Sequence, residues 1–207
     1  MPNIKRALGL NLSDLSLPDS TTPKDVDQVV ELETILHDST INAFNVRISK
    51  LYFDEELITA IRGFNIVQIL YPHTFFTNDI LLTLSDLKIL TLNNTVTDEG
   101  LQNLSKLEEL YCDKNRLITD KGLHYLTNLS ILHCDDNTNF TDEGLKGLPN
   151  LVELYCDNNT NFTDEVLKYL PKLEVINTSF DRCFSEEAKY VVMSRSQESL
   201  YNRTNSS

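Results

Sequence analysis

Leucine recurs at every third position in four successive segments of the chain, and the segments themselves recur every 22 residues. They begin at Leu101, Leu123, Leu145 and Leu167. Residues 127–148 and 149–170 are identical at 15 of 22 positions, so the period is a true sequence repeat. A unit of this length cannot bury its apolar face alone, and neighbouring units must stack. The pattern therefore predicts a solenoid of about five to seven coils with a cap at each end.

Each unit contains a predicted short strand, a turn and a return helix. Strand side chains alternate between two faces, so Leu110 and Cys112 are expected to point into the solenoid, and Tyr111 out of it. The Asn115 amide is expected to be buried and to satisfy backbone groups of the turn, in a ladder that neighbouring coils repeat. A Thr or Asp then caps the return helix, and acidic residues in its first turn oppose the positive end of the helix dipole.

These motifs resemble those of a known repeat family. The segment Leu107-x-x-Leu110-x-Cys112-x-x-Asn115 is similar to the strand signature of leucine-rich repeats, L-x-x-L-x-L/C-x-x-N. Residues 140–145, with the sequence FTDEGL, resemble the T-D-x-G-L segment of the cysteine-containing, ribonuclease-inhibitor-like type with 22-residue repeats. The resemblance is strong over about residues 87–180. It implies an α/β leucine-rich repeat solenoid, a short curved right-handed coil stack with parallel strands on its concave face and helices on its convex face.

Both ends of the chain predict caps around these repeats. Thr22-Pro23-Lys24-Asp25 combines a capping residue, a first-turn proline and an early acid, which predicts a helix over about 23–37, followed by a strand near 43–49. The expected order is a mobile segment 1–22, an N-terminal cap 23–57, repeats 58–182, a C-terminal cap helix 183–195 and a disordered tail 196–207.

Composition and charge narrow the function classes. The chain has 207 residues, with 31 acidic side chains against 18 basic ones and a formal net charge of −13. Such an acidic chain is a poor partner for nucleic acid or an anionic membrane. No 18-residue apolar run predicts a transmembrane helix, and no signal peptide is predicted. Four cysteines without a paired framework fit a reducing, cytoplasmic location.

Catalytic and metal chemistry find little support in the sequence. The repeated cysteines are expected in one straight inward row about 4.8 Å apart, which cannot wrap a tetrahedral ion. These are Cys112, Cys134 and Cys156. The four histidines lack a nucleophile partner or a zinc-binding pattern. We therefore expect a non-enzyme without a metal or cofactor.

The predicted concave strand face carries the candidate binding residues. Its aromatic column and the acidic residues beside it are Glu109, Tyr111, Asp113, His133, Asp135, Glu153, Tyr155 and Asp157. Such a surface suits a protein partner, basic in the favoured case, bound by a monomer or weak oligomer. The aspartates are also open to a second interpretation, as duplicated turn chemistry that only solvates an edge. An assembly component of a larger particle, viral or host-manipulating, is the alternative function. The family resemblance adds a third, substrate recognition in a ubiquitin ligase.

Overall fold

The repeats form one sheet whose strands follow chain order. A computed structural model describes the backbone of residues 29–34, 44–49 and 65–70, and residues 77–92, 94–178 and 183–205. The strands are β1 (Val29–Thr34), β2 (Phe44–Ser49), β3 (Asn65–Leu70), β4 (Ile89–Thr91), β5 (Glu109–Tyr111), β6 (Ile131–His133), β7 (Glu153–Tyr155) and β8 (Val175–Asn177). β2 to β8 are parallel, and β1 pairs with β2 in the antiparallel sense. The expected α/β leucine-rich repeat solenoid is confirmed.

Short helical turns return the chain between the described strands. They are α1 (Asn78–Leu81), the 3₁₀ turn Asp98–Leu101, α2 (Asp120–Leu123), α3 (Asp142–Lys146) and the 3₁₀ turn Asp164–Lys168. The leucines at every third position form the core between these turns and the sheet: each of Leu101, Leu104, Leu107 and Leu110 is fully buried. The same holds in the next two units, so the three-residue spacing marks the inner surface of the coil.

The described part of the predicted N-terminal cap helix is a strand. Residues Val29–Thr34, inside the predicted helix 23–37, form strand β1 instead, whereas the strand predicted near 43–49 is β2. The reason is the local pattern Val30-Glu31-Leu32-Glu33, which alternates apolar and acidic residues with a period of two. The antiparallel partner β2 supplies the backbone hydrogen bonds that this strand needs. The segment 1–22 and the repeat boundary at residue 58 lie outside the described residues.

Buried asparagines hold the turns after β5, β6 and β7, as predicted, although Asn137 Nδ2 has no hydrogen-bond partner in the described structure. Asn115 Oδ1 accepts the backbone N–H groups of Leu117 at 2.8 Å and Ile118 at 3.0 Å. Asn159 Nδ2 donates to the Asn137 carbonyl oxygen at 2.7 Å, which joins one coil to the next. All three amides of this row are at least 98% buried. The side chains therefore replace the water that the turn backbone would otherwise need.

A second ladder joins the helical turns, and it was not predicted. The Asp98 carboxylate accepts the Thr119 backbone N–H at 2.8 Å and the Thr119 hydroxyl at 2.7 Å, from the next coil. Asp120 binds Thr141 in the same way, and Asp142 binds Thr163. These aspartates were expected to act on the helix dipole of their own coil. Their carboxylates instead bridge to the following coil, while Thr119 and Thr141 cap their helices by accepting the N–H groups of Lys121 and Glu143.

Glycine keeps room for this Asp–Thr ladder. Gly122 lies two residues after Asp120, the aspartate that its own coil contributes to the ladder. It faces the carboxylate of Asp98, the ladder aspartate of the preceding coil. A Cβ atom on Gly122 would lie 2.5 Å from Asp98 Oδ1, closer than the two atoms can approach. In this coil the Gly of the T-D-x-G-L segment thus allows close approach of a charged oxygen, whereas Val166 takes the same position two coils later, where Asp142 still binds Thr163.

The C-terminal cap continues the Asp–Thr ladder. Ser185 takes the threonine position: its N–H and hydroxyl donate to Asp164 at 3.0 and 2.6 Å, and its Oγ accepts the Ala188 N–H. Helix α4 then runs over Glu186–Asn205, ten residues past the end at 195 that was predicted for the cap helix. Residues 196–205 are helical rather than a disordered tail, because Arg203 reaches Glu174 at 3.6 Å and no Gly or Pro interrupts the segment. Among the described helices, none is both long and apolar enough to span a membrane.

Removal of one ladder carboxylate tests this arrangement. We expect Asp142→Ala to lower the free energy of unfolding by about 1–2 kcal/mol, because two bonds between a charged acceptor and the next coil are lost. The adjacent Glu143→Ala is the matched control, since the Glu143 carboxylate pairs with exposed Lys146 of its own coil. Urea unfolding measures both. Equal effects of the two substitutions would contradict a bridging role for Asp142.

Candidate protein-binding face

The sheet register brings the predicted surface residues into columns. Glu109 pairs with Ile131, and Ile131 with Glu153; one position further, Tyr111 pairs with His133, and His133 with Tyr155. Each step is 22 residues, so equivalent positions of the repeat become lateral neighbours. Leu110, Leu132 and Leu154 are fully buried between these columns, which turns the residues on either side outward onto the concave strand face. The predicted columns are thus confirmed as a geometric arrangement.

The rings of Tyr111, His133 and Tyr155, which occupy one column of the face, stack on one another. The ring centroids of Tyr111 and His133 are 4.4 Å apart with an interplanar angle of 23°, and those of His133 and Tyr155 are 3.9 Å apart at 5°. We call these three residues the aromatic column. The side chains are half-buried, because each ring covers its neighbours. Stacking fixes the orientation of the rings before any partner arrives.

Each tyrosine hydroxyl is held by the glutamate two residues before it. Tyr155 Oη donates to Glu153 Oε2 at 2.8 Å, and Tyr111 Oη donates to Glu109 Oε2 at 3.1 Å. The bond to Glu153 raises the pKa of the Tyr155 hydroxyl, and partial burial and the negative charge of Glu153 add to this effect. Glutamate and tyrosine of one strand therefore form a single polar unit, with a carboxylate at the end of the ring.

The aspartates Asp113, Asp135 and Asp157 form a row, and two of their carboxylates accept backbone N–H groups of the next coil. Asp113 Oδ1 accepts the Asp135 N–H at 2.9 Å, and Asp135 Oδ1 accepts the Asp157 N–H at 2.7 Å. Burial raises the pKa of the Asp135 carboxyl, and the negative charges of Asp113 and Asp157 raise it further, although the bond to Asp157 opposes the shift. One oxygen of Asp113 and of Asp135 therefore serves the turn, and only the rest of each carboxylate faces solvent.

The turn after this row has a left-handed residue in each of three coils. Lys114, Asp136 and Asn158 have φ of 58°, 56° and 58°. Sequence reasoning did not find them, although Asp136 and Asn158 are of residue types enriched in this conformation; Lys114 is not, and gave no signal beyond its position before the buried asparagine. The conformation lets the N–H of Lys114 reach the Asp135 carbonyl oxygen at 2.7 Å. It links neighbouring coils next to the candidate face.

The cysteine row lies on the inner side of the same strands. Cys112 Sγ donates to the His133 carbonyl oxygen at 3.2 Å, and Cys134 Sγ donates to that of Tyr155 at 3.3 Å. Burial raises the pKa of both thiols, so the thiolate that a nucleophile or metal ligand needs is disfavoured. Within the described part of the chain, no three His, Cys, Asp or Glu residues are grouped to hold a metal ion. The thiols act here as small buried donors between coils.

Solved structures with a similar fold are leucine-rich repeat proteins. An internalin from Listeria monocytogenes aligns with a TM-score of 0.50 and 16% identity, over 73% of this chain and 52% of that one. Internalin C2 from the same bacterium aligns with a TM-score of 0.49 and 28% identity, over 62% of this chain and 58% of that one. A chain of the yeast Rad7–Elc1 complex aligns with a TM-score of 0.43 and 21% identity, over 68% of this chain and 50% of that one.

The first of these likenesses supports the fold and nothing finer. The chain spans little more than half the length of the internalin chains. A scan against models of protein families and a search of curated proteins found no match. The fold is therefore that of a leucine-rich repeat solenoid, and any statement about function depends on the site itself.

The raised pKa of Asp135 predicts a substitution that stabilises the fold. Asp135→Asn keeps Oδ1 as acceptor for Asp157 but removes a carboxylate whose ionisation is disfavoured in the folded state. We expect a higher urea midpoint than that of the wild type at pH 7. A raised folded-state pKa means that the wild type gains stability as pH falls through that pKa, so the advantage of the variant should disappear on acidification.

Asp135→Ala is the matched control for this prediction, because it removes both the charge and the acceptor. It should unfold at a lower urea concentration than Asp135→Asn at every pH. A lower midpoint for Asp135→Asn than for the wild type at pH 7 would show that the charge stabilises the turn, contrary to the pKa argument.

Proposed function

We propose that the chain is a non-catalytic protein-interaction module that binds a partner protein through its concave strand face. The observation that carries this proposal is the aromatic column, three stacked rings fixed on a rigid sheet and flanked by Glu109 and Glu153. Tyrosine is enriched among the residues that contribute most to protein interfaces, since it buries a large area at small entropic cost. Stacking has already restricted these side chains, and binding loses correspondingly little freedom.

The charges of the face favour a basic partner. Glu109 and Glu153 lie in the column beside the rings, and the Asp113, Asp135 and Asp157 row lies on the other side. A partner with lysine or arginine would be steered to this surface, with an on-rate that falls as salt is added. We place the chain in a reducing compartment, because Cys112, Cys134, Cys156 and Cys183 are free and buried. We also retain the cysteine-containing 22-residue type as the proposed repeat class.

A second candidate function, assembly into a larger particle, is favoured by helix α4. One side of the helix packs on the last coil through Ala188 and Val192, which are 3% and 2% exposed. The opposite side exposes large apolar residues at helical spacing, namely Tyr190, Met193, Leu200 and Tyr201. Large apolar residues exposed on one side of a helix mark interaction sites in many soluble proteins. Assembly through α4 is compatible with a free concave face.

Charge reversal on the concave strand face tests the interaction proposal. We expect Glu109→Lys/Glu153→Lys to lose the proteins that the wild type retains from extracts of its native source, with bound proteins identified by mass spectrometry. The matched control is Glu143→Lys/Glu165→Lys on the helical turns, which makes the same change in net charge. The control should retain the same proteins as the wild type.

The outcomes of this capture experiment separate the proposals. Equal capture by both double variants would remove the concave strand face from consideration. Recovery of ubiquitin-ligase subunits with the wild type would favour the substrate-recognition role. Salt titration of the captured partner supplies the charge test, because a basic partner should dissociate more readily as ionic strength rises.

Light scattering tests the assembly candidate. If α4 joins copies of the chain, Tyr190→Ser/Tyr201→Ser should convert a defined oligomer to a monomer, because two residues that are 67% and 69% exposed would lose their apolar contacts. Tyr169→Ser is the control for loss of an exposed tyrosine elsewhere, because Tyr169 is the C-cap residue of the helical turn Asp164–Lys168. A wild-type chain that is monomeric at every concentration tested would exclude self-assembly.

A further inference from the structure

Among the described residues, the aromatic column ends before β8 at the ring of Tyr155. His133 stacks on one face of Tyr155 at 3.9 Å, so the other face points to β8, where the register partner is Asn177. Asn177 is exposed and its short side chain ends before the outer half of a tyrosine ring. Among the described residues, no ring or cation stacks on this second face of Tyr155.

Stacking inside the column restricts where a partner can contact a π face. Because the rings lie nearly parallel at 3.9–4.4 Å, the faces between them are closed, and a ligand above the column meets ring edges. Ring edges carry positive partial charge and attract no cation. The face of the Tyr155 ring that points to Asn177 is electron-rich, and no ring of the aromatic column covers it.

The carboxylate beside this ring also lacks a cation among the described residues. Glu153 accepts the Tyr155 hydroxyl through Oε2, which leaves Oε1 for a partner. Glutamates of the helical turns are paired instead: Glu143 with Lys146 at 2.6 Å and Glu165 with Lys168 at 2.7 Å. A tyrosine there also has its cations, because Lys146 and Lys168 lie 5.4 and 5.2 Å from the ring centroid of Tyr169. Glu153 and Tyr155 place the same two groups on the concave strand face, where no described residue supplies the cation.

We propose that the partner supplies this cation as an arginine side chain, whose guanidinium stacks on Tyr155 above Asn177 and donates to Glu153. The proposal rests on the concave strand face being the binding surface. Arginine fits better than lysine because its planar group extends a stack of parallel rings and presents several N–H donors at once. The arginine would take the next place in the aromatic column, after Tyr111, His133 and Tyr155.

Substitution at Asn177 tests the proposed arginine site directly. Asn177→Tyr should place a fourth ring on Tyr155 and close the site, whereas Asn177→Ala should leave it open. The probe is an arginine residue capped as N-acetyl amide, titrated against the folded chain by NMR, with the matching lysine compound as comparison. We expect saturable shifts at Tyr155 with arginine, at least about fivefold weaker affinity for lysine, and at least about tenfold weaker binding to Asn177→Tyr.

Two further variants keep the result interpretable. Glu153→Gln should weaken arginine binding, while Glu165→Gln, which changes the same charge on a helical turn, should not. Equal affinity for arginine and lysine, or unchanged arginine binding to Asn177→Tyr with native amide shifts, would overturn the proposal. If Asn177→Tyr still captures a partner that Glu109→Lys/Glu153→Lys loses, the arginine site is wrong but the concave strand face is right. If neither variant loses the partner, the proposed function fails as well.

Discussion

The structure depends on hydrogen bonds that join equivalent positions of successive coils. In the 22-residue coils the side-chain ladders join residues 21 to 23 positions apart: Asp98 with Thr119, Asp113 with Asp135, and Asn161 with the Thr138 carbonyl. The coil before them is shorter and still aligns, since Asn78 binds Thr97 across 19 positions. Most polar side chains at a coil boundary bind equivalent groups of the next coil, so a coil in which these groups do not align would leave them unpaired and costly. Leucine supplies the apolar area, and these ladders determine how one coil sits on another.

The ladders explain why the chain contains so many asparagine and acidic residues. The chain contains 20 Asn, and many of them now have a common role, because Asn128, Asn139, Asn150 and Asn161 all donate to a backbone carbonyl of the preceding coil. Much of the acidity is internal as well, since Asp98, Asp120, Asp142 and Asp164 bind the next coil or cap. The formal charge of −13 therefore overstates what is available to a partner. The side chains of Glu109 and Glu153, by contrast, bind a tyrosine of their own strand and no group of another coil in the described structure.

The repeat made the columns of the strand face predictable, but not the ring stacking or the Asp–Thr ladder. Near-identical units fix which residues are lateral neighbours, so Tyr111, His133 and Tyr155 could be aligned from sequence alone. Their ring stacking could not, because alternation indicates which face a side chain occupies but not its rotamer. The Asp–Thr ladder was missed because an acid at a helix start has a familiar local explanation. Its available signal was Ser185, which keeps the threonine position after the leucine repeat has ended.

The ends of the chain were harder to predict because no repeat constrains them. The proline and acid at 23–25 indicate a helix start, yet the alternation at Val30 to Glu33 prevails and gives β1. Residues after 195 lack an obvious apolar stripe facing the solenoid, and polar contacts hold them: Arg195 donates to the Leu170 carbonyl oxygen at 2.9 Å, and Arg203 reaches Glu174. Such contacts depend on tertiary placement, which local pattern does not reveal.

Insertion of an extra coil tests most directly the claim that in-register ladders hold the solenoid together. A second copy of residues 127–148, placed after Leu148, adds one unit to every ladder. We predict a higher urea midpoint than that of the wild type, because stability in stacked repeats grows with each added interface. The same copy with one extra alanine between the counterparts of Asp136 and Asn137 should lower the midpoint. Equal midpoints for the two insertions, or a lower midpoint for the exact copy than for the wild type, would contradict the account.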